Sequence, residues 1–152
     1  MLNLLSWNLN GMGKASKCLW AKEMGGVGKR SLEYVALDSI GNSGGIITIW
    51  DNKLFKVQRK SKSNGYVLVL GLWMENNSKL GVINVYAPQD TNNKKMLWEE
   101  IHKELHSEPG AAWVVCGDFN EVRGSEERLG SMLNRRGTKL FNDFIVSAEL
   151  HD

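Results

Sequence analysis

The chain has little of several things that would narrow its function at once. Two cysteines, Cys18 and Cys116, stand among 152 residues. They lack the number and spacing of a disulfide framework, and with no histidine nearby they do not make a zinc site. A reducing compartment is the expectation. No run approaches the ~18 consecutive apolar residues of a membrane span. The apolar start of MLNLLSWNLNGMGK is too short for a secretory signal and lacks its basic lead. The sequence thus reads as intracellular, nuclear or cytoplasmic, not secreted and not membrane-bound. Charge of one sign is also missing, since 19 Lys and Arg against 17 Asp and Glu leave a net +2. That balance neither indicates nor excludes nucleic acid. Nothing repeats at a fixed period and no segment is of low complexity. The NNS at Asn76 to Ser78 fits a glycosylation sequon, but in an intracellular chain it reads as a polar turn.

What is present is the composition of one globular domain, with 42% apolar and 24% charged residues, enough to bury a single core. Short runs of β-branched and large apolar residues predict strands at Asn3 to Trp7, Gly45 to Trp50, Tyr66 to Met74, Leu80 to Tyr86 and Ala112 to Cys116. Helical spacing predicts two helices. Lys94 to His106 sets Leu97, Ile101 and Leu105 on one face, and Thr138 to Leu150 sets Leu140, Phe141, Phe144, Ile145 and Ala148 on another. Pro109 and Gly110 end the first helix, while DNK, SNG and ENNSK read as turns. Strands in series with helices late in the chain predict an α/β layered domain over residues 1–152. The basic run Lys53, Lys56, Arg59, Lys60 and Lys62 reads as a solvated edge or loop before it reads as a phosphate contact.

Two stretches invite a functional reading. MGGVGKRS, Met24 to Ser31, looks like a phosphate-binding P-loop, but counting back from Gly28 and Lys29 puts Glu23 where the first glycine should be. Arg30 then replaces the magnesium-holding hydroxyl. It is a glycine loop, not a P-loop. AAWVVCGDFNEV differs, because Asp118 and Asn120 follow at once on an apolar strand expected to be buried on both faces. Two readings stand for the pair: an Asx turn closing the strand, or two polar groups projecting from one sheet edge. Asn8 ends another apolar strand, and Tyr86 with Pro88 ends a third. Side by side, such ends would make a polar floor for a phosphate and a hard cation. Mg²⁺ takes oxygen ligands and keeps waters, and phosphodiester hydrolysis needs a positioned water with donors toward the phosphoryl oxygens.

In this order SWNLNG, GNSGGIITIWD, INVYAP and CGDFNEVR resemble the endonuclease/exonuclease/phosphatase superfamily, and most of all the endonuclease domain of plant LINE-type retrotransposons. The resemblance runs from Leu4 through the last helix. It implies a two-sheet α/β sandwich with a Mg²⁺ (or Mn²⁺) site at the strand ends, and DNA as the substrate. Carried over, Asn8 matches the asparagine near the metal, Tyr86 the phosphate-contacting tyrosine, Asp118 the water-orienting aspartate and Asn120 its transition-state partner.

The pattern is incomplete. Between NGMG and GNSGG the family has a helix and a strand ending in Q-E-T, whose glutamate is the principal metal ligand, and here that interval is short and holds no Q-E-T. Glu23, in CLWAKEM, is the nearest stand-in as a metal ligand but follows no buried strand, and Glu33 is no better placed. Nor is there an S-D-H, since the chain closes on AELHD with His151 and Asp152 in the reverse order. His102 and His106, at i and i+4 without H-E-x-x-H, read as surface residues of their helix. The expectation is therefore an incomplete domain of this type, shortened after its first strand and truncated at its C-terminus. Open sheet edges or apolar surface should follow, with Trp7, Trp50, Trp73 and Trp113 in its core. Three functions stay in view: a metal-dependent DNA endonuclease, an inactive retroelement remnant that retains nucleic-acid or protein binding, and a phosphatase of the same superfamily.

Overall fold

A computed structural model describes residues 4–9, 31–38, 45–124 and 134–151. Its strands are β1 (Leu4–Leu9), β2 (Leu32–Leu37), β3 (Gly45–Asp51), β4 (Phe55–Ser63), β5 (Tyr66–Trp73), β6 (Ser78–Tyr86) and β7 (Ala112–Asp118). The helices are α1 (Thr91–Leu105), between β6 and β7, and α2 (Arg135–Ser147). Two compact units divide the chain, one of Met1–Tyr86 with Gly110–Asp118, the other of Ala87–Pro109 with Phe119–Asp152.

The first unit holds two sheets, a three-stranded one in the order β1-β3-β2 and a four-stranded one in the order β4-β5-β6-β7. The centre of each is set by composition. β3, GIITIWD, is buried at every position, and its run of β-branched residues suits a strand covered on both faces. From the facing sheets, Val35, Ile46 and Trp50 meet Phe55, Val67, Val69 and Val82 in one core cluster. Trp50 is fully buried, so Trp50→Ala is expected to cost about 3–5 kcal/mol, read as a shift of the denaturant midpoint without loss of the two-state transition. Trp73 and Trp113 are half-buried, not the core residues expected of them. Trp73, at the end of β5, still packs against that cluster, and Trp113 lies on β7.

Strands β4 and β7 are the margins of that sheet. The basic run lies on β4, with Lys56, Arg59, Lys60 and Lys62 exposed, and a register shift between Val57 and Arg59 interrupts its ladder. Charge and a bulge are the usual protections of an open edge, so the solvated-edge reading describes this segment. At the other margin the expectation of a strand buried on both faces fails. Val114 is 43% exposed and β7 alternates exposed and half-buried positions, because among the described residues β7 has a ladder partner only in β6.

Glu33 is the second residue of β2, a strand absent from the expected set. Its carboxylate accepts from Asn52 Nδ2 at 2.7 Å and from Lys60 Nζ at 3.2 Å. Those bonds, Asn52 foremost, hold its carboxyl below the usual carboxylate range against the opposing effect of burial. A depressed folded pKa means stability present above the unfolded pKa and lost as pH falls through the folded one. Because the side chain is 42% exposed, Glu33→Gln should lower stability at neutral pH by less than ~1 kcal/mol. The difference from the parent should vanish in melts below the carboxylate range.

The second unit is built on α1 and α2. Asp90 caps α1 by accepting from the amides of Asn92 and Asn93, and Asn134 caps α2 by accepting from Gly137. Leu97 and Ile101 are buried on α1, Phe141 and Phe144 on α2, as their spacing predicts. Trp98 is buried too and stacks at 5.0 Å on Phe144, with Phe141 at 5.4 Å and Phe119 at 6.0 Å. No helix among the described residues is long and apolar enough to cross a membrane.

Candidate active site

Strands β6 and β7 run parallel, which requires a long connection between them, and the segment carrying α1 supplies it. Parallel pairing brings the two carboxyl ends together: Val85 pairs with Gly117 and Tyr86 with Asp118. Ligands of open α/β sheets gather outside such ends. Gly117 is what permits the pairing here. Its φ is +125°, and a Cβ on it would stand 2.1 Å from the Val85 carbonyl oxygen.

Asn8 comes to the same end of this unit through the other sheet. It is the register partner of Ile46, and Ile46 belongs to the cluster against which Tyr86 and Cys116 pack. Backbone segments of β1 approach those of both β6 and β7. The backbone of Asn8 thus lies toward the end of this unit that holds the half-buried Tyr86 and Asp118, and the Tyr86 amide donates to the carbonyl of the turn residue Gly65 at 2.8 Å. Exposed Asp38 leaves β2 at this end as well, one residue after Leu37, which shares Ile46 with Asn8.

Glu33 lies at the opposite end. It pairs with Trp50, four positions along β3 from Ile46, or roughly 13 Å at ~3.3 Å per residue. It cannot share a ligand with Asn8. Glu23 and the glycine loop from Met24 to Arg30 fall outside the described residues, as does Asp152.

Asn120 belongs to the second unit, two residues beyond Asp118 in the chain. It holds the left-handed conformation at φ +48°. Its Nδ2 donates to the Ala87 carbonyl at 2.6 Å, and its Oδ1 accepts from Gln89 Nε2 at 2.9 Å. The amide is thus oriented at both ends, which is more than an Asx turn requires. In the same unit His106 Nδ1 lies 2.8 Å from the His102 carbonyl and His102 Nε2 lies 3.2 Å from that of Ser147. Those contacts are structural, as the surface reading of the two histidines has it.

Three residues escaped the sequence reading. Buried Asn84 on β6 donates through Nδ2 to the Ile47 carbonyl at 3.1 Å and to Thr48 Oγ1 at 3.3 Å, tying the two sheets together two residues from Tyr86. An asparagine inside an apolar strand was the available signal. Lys94 and Glu121 form a buried ion pair, and a lysine on a helix carries no such signal.

Oxygen donors from amide, phenol and carboxylate suit Mg²⁺, which keeps several waters and needs one or two carboxylates from the protein. Among the described residues no three His, Cys, Asp or Glu converge.

No family model matches the sequence, and no curated protein is similar to it. Solved structures share its fold. A humanized D. rerio TDP2 carrying 14 mutations superposes with a TM-score of 0.61 at 10% identity, over 79% of this chain and 50% of that one. The catalytic domain of human Nocturnin with bound sulfate gives 0.58 at 12%, over 96% and 57%. D. rerio TDP2 complexed with a single-strand DNA product gives 0.58 at 11%, over 82% and 50%. The fold is the two-sheet α/β sandwich of the endonuclease/exonuclease/phosphatase type. This chain spans about half the length of the structures it matches.

Proposed function

We propose that the chain carries the strand-end part of a metal-dependent phosphodiesterase site acting on DNA, in a domain of retroelement origin. The observation that supports it most is the parallel register that sets Tyr86 beside Asp118, at the end of the unit where Asn8 lies. In this reading Asn8 would help hold a Mg²⁺ or Mn²⁺ ion, which when bound offsets the charge of the phosphoryl oxygens. Asp118 orients a water and accepts its proton, since an ionised carboxylate only accepts. Tyr86 donates its phenol to a phosphate oxygen, and Asn120 donates its amide as charge builds in the transition state. DNA is the partner by analogy with TDP2, one structure of which holds a single-strand DNA product.

A second reading is an inactive remnant that retains nucleic-acid or protein binding, favoured by the lack of three converging metal-ligating groups among the described residues. Nicking of supercoiled plasmid separates the two. The proposal expects open circles in Mg²⁺ and none in EDTA. Plasmid left supercoiled but retarded in a gel is the outcome for the remnant, and turnover confined to a small phosphomonoester makes the chain a phosphatase.

A further inference from the structure

Lys94 is a lysine almost wholly removed from water. Its side chain is 5% exposed and that of its partner Glu121 is 1% exposed, with Nζ 2.9 Å from Oε2. Taking two charges out of water is expensive, and replacing such a pair by apolar side chains of similar volume is often neutral or stabilising. Stability alone is therefore a weak reason for having it. What an apolar pair would not do is donate a hydrogen bond, and Lys94 Nζ also donates to the backbone carbonyl of Asn120.

The surroundings are shaped to hold that contact. A Cβ on Gly137 would stand 2.2 Å from Glu121 Oε2, so glycine in the first turn of α2 leaves room for the carboxylate. That helix start also favours negative charge. Asn120 itself has the left-handed backbone that non-glycine residues seldom adopt, though asparagine tolerates it. Its carbonyl is fixed by Lys94 and its side chain by Ala87 and Gln89.

We infer that Lys94, paired with Glu121, is a positioning residue that locks the Asn120 peptide in its left-handed conformation and so aims the Asn120 amide. The chemical use of that amide rests on the proposed phosphodiesterase site, whereas the lock itself does not. The test compares the full chain with Lys94→Met and with the double variant Lys94→Met/Glu121→Leu, by melting, by ¹⁵N NMR of the Asn120 backbone and side-chain amides, and by Mg²⁺-dependent nicking. Lys94→Met alone leaves Glu121 buried and uncompensated and should melt well below the parent. The double variant should recover most of the lost melting temperature, yet keep the Asn120 resonances shifted and lower kcat roughly tenfold to a hundredfold with KM little changed. Parent-like Asn120 resonances in a folded double variant would overturn the inference. So would a double variant that does not fold, because the pair would then serve stability. If the parent itself does not nick, the phosphodiesterase reading falls alone and the Asn120 resonances still decide the lock.

Discussion

Asp118→Ala is expected to lower Mg²⁺-dependent nicking of supercoiled plasmid by about a hundredfold to ten-thousandfold, the range for removing a positioned general base. The physical case rests on where the strand ends. Asp118 is the last residue of β7, paired with Tyr86 in a parallel ladder, and half-buried. It therefore lies at the sheet's carboxyl edge, where the two parallel strands end together. Asp118→Asn, which keeps the shape and loses the basicity, should fall nearly as far as the alanine variant. Glu33→Gln serves as the control, because Glu33 lies at the far end of β3 from Ile46 and Asn8 and should leave the rate as it is. Equal nicking by Asp118→Ala and its parent would remove the catalytic role of Asp118.

Gly117→Ala should be among the most damaging small substitutions in the chain, costing about 2–5 kcal/mol as strained backbone and steric overlap combine. The methyl group would meet the Val85 carbonyl at 2.1 Å, and φ +125° is foreign to alanine. Relief requires β7 to move away from β6 or residue 117 to change conformation, and either displaces Asp118 from Tyr86. Denaturant unfolding should show the loss of stability, and the surviving folded fraction should also nick more slowly. A Gly117→Ala chain with parental stability would mean that the β6 and β7 ends are less closely apposed than the geometry here.

How far the sequence alone revealed this arrangement depended on what kind of burial each segment has. β3 and β5 were legible because runs such as GIITIW and YVLVLGL have no other home than a sheet centre. β2 was missed, since LEYVAL has one fully buried position, Val35, in a mixed pattern. β4 was visible only as a run of lysines and arginine, because an edge strand with exposed charges lacks apolar alternation. For β7 the misreading ran the other way: AWVVC is as apolar as a central strand yet lies at a sheet margin, a position set by pairing and not by composition. The site divides along the same line. Asn8, Tyr86, Asp118 and Asn120 stood out as polar residues where apolar strands stop, whereas Lys94 was invisible because its partner Glu121 is 27 residues away. A lysine on an otherwise amphipathic helix is assigned to solvent unless its partner is known.

The most direct test of the strand-end site needs no turnover. Titrating Mn²⁺ into ¹⁵N-labelled chain broadens the amides nearest the bound ion first. The proposed site predicts early broadening at Asn8, Tyr86 and Asp118, reversed by excess Mg²⁺, with Glu33 and Trp50 at the opposite end of the sheet unaffected. Broadening that is uniform, or that begins around Glu33, would contradict a metal-dependent site at the joined ends of β1, β6 and β7.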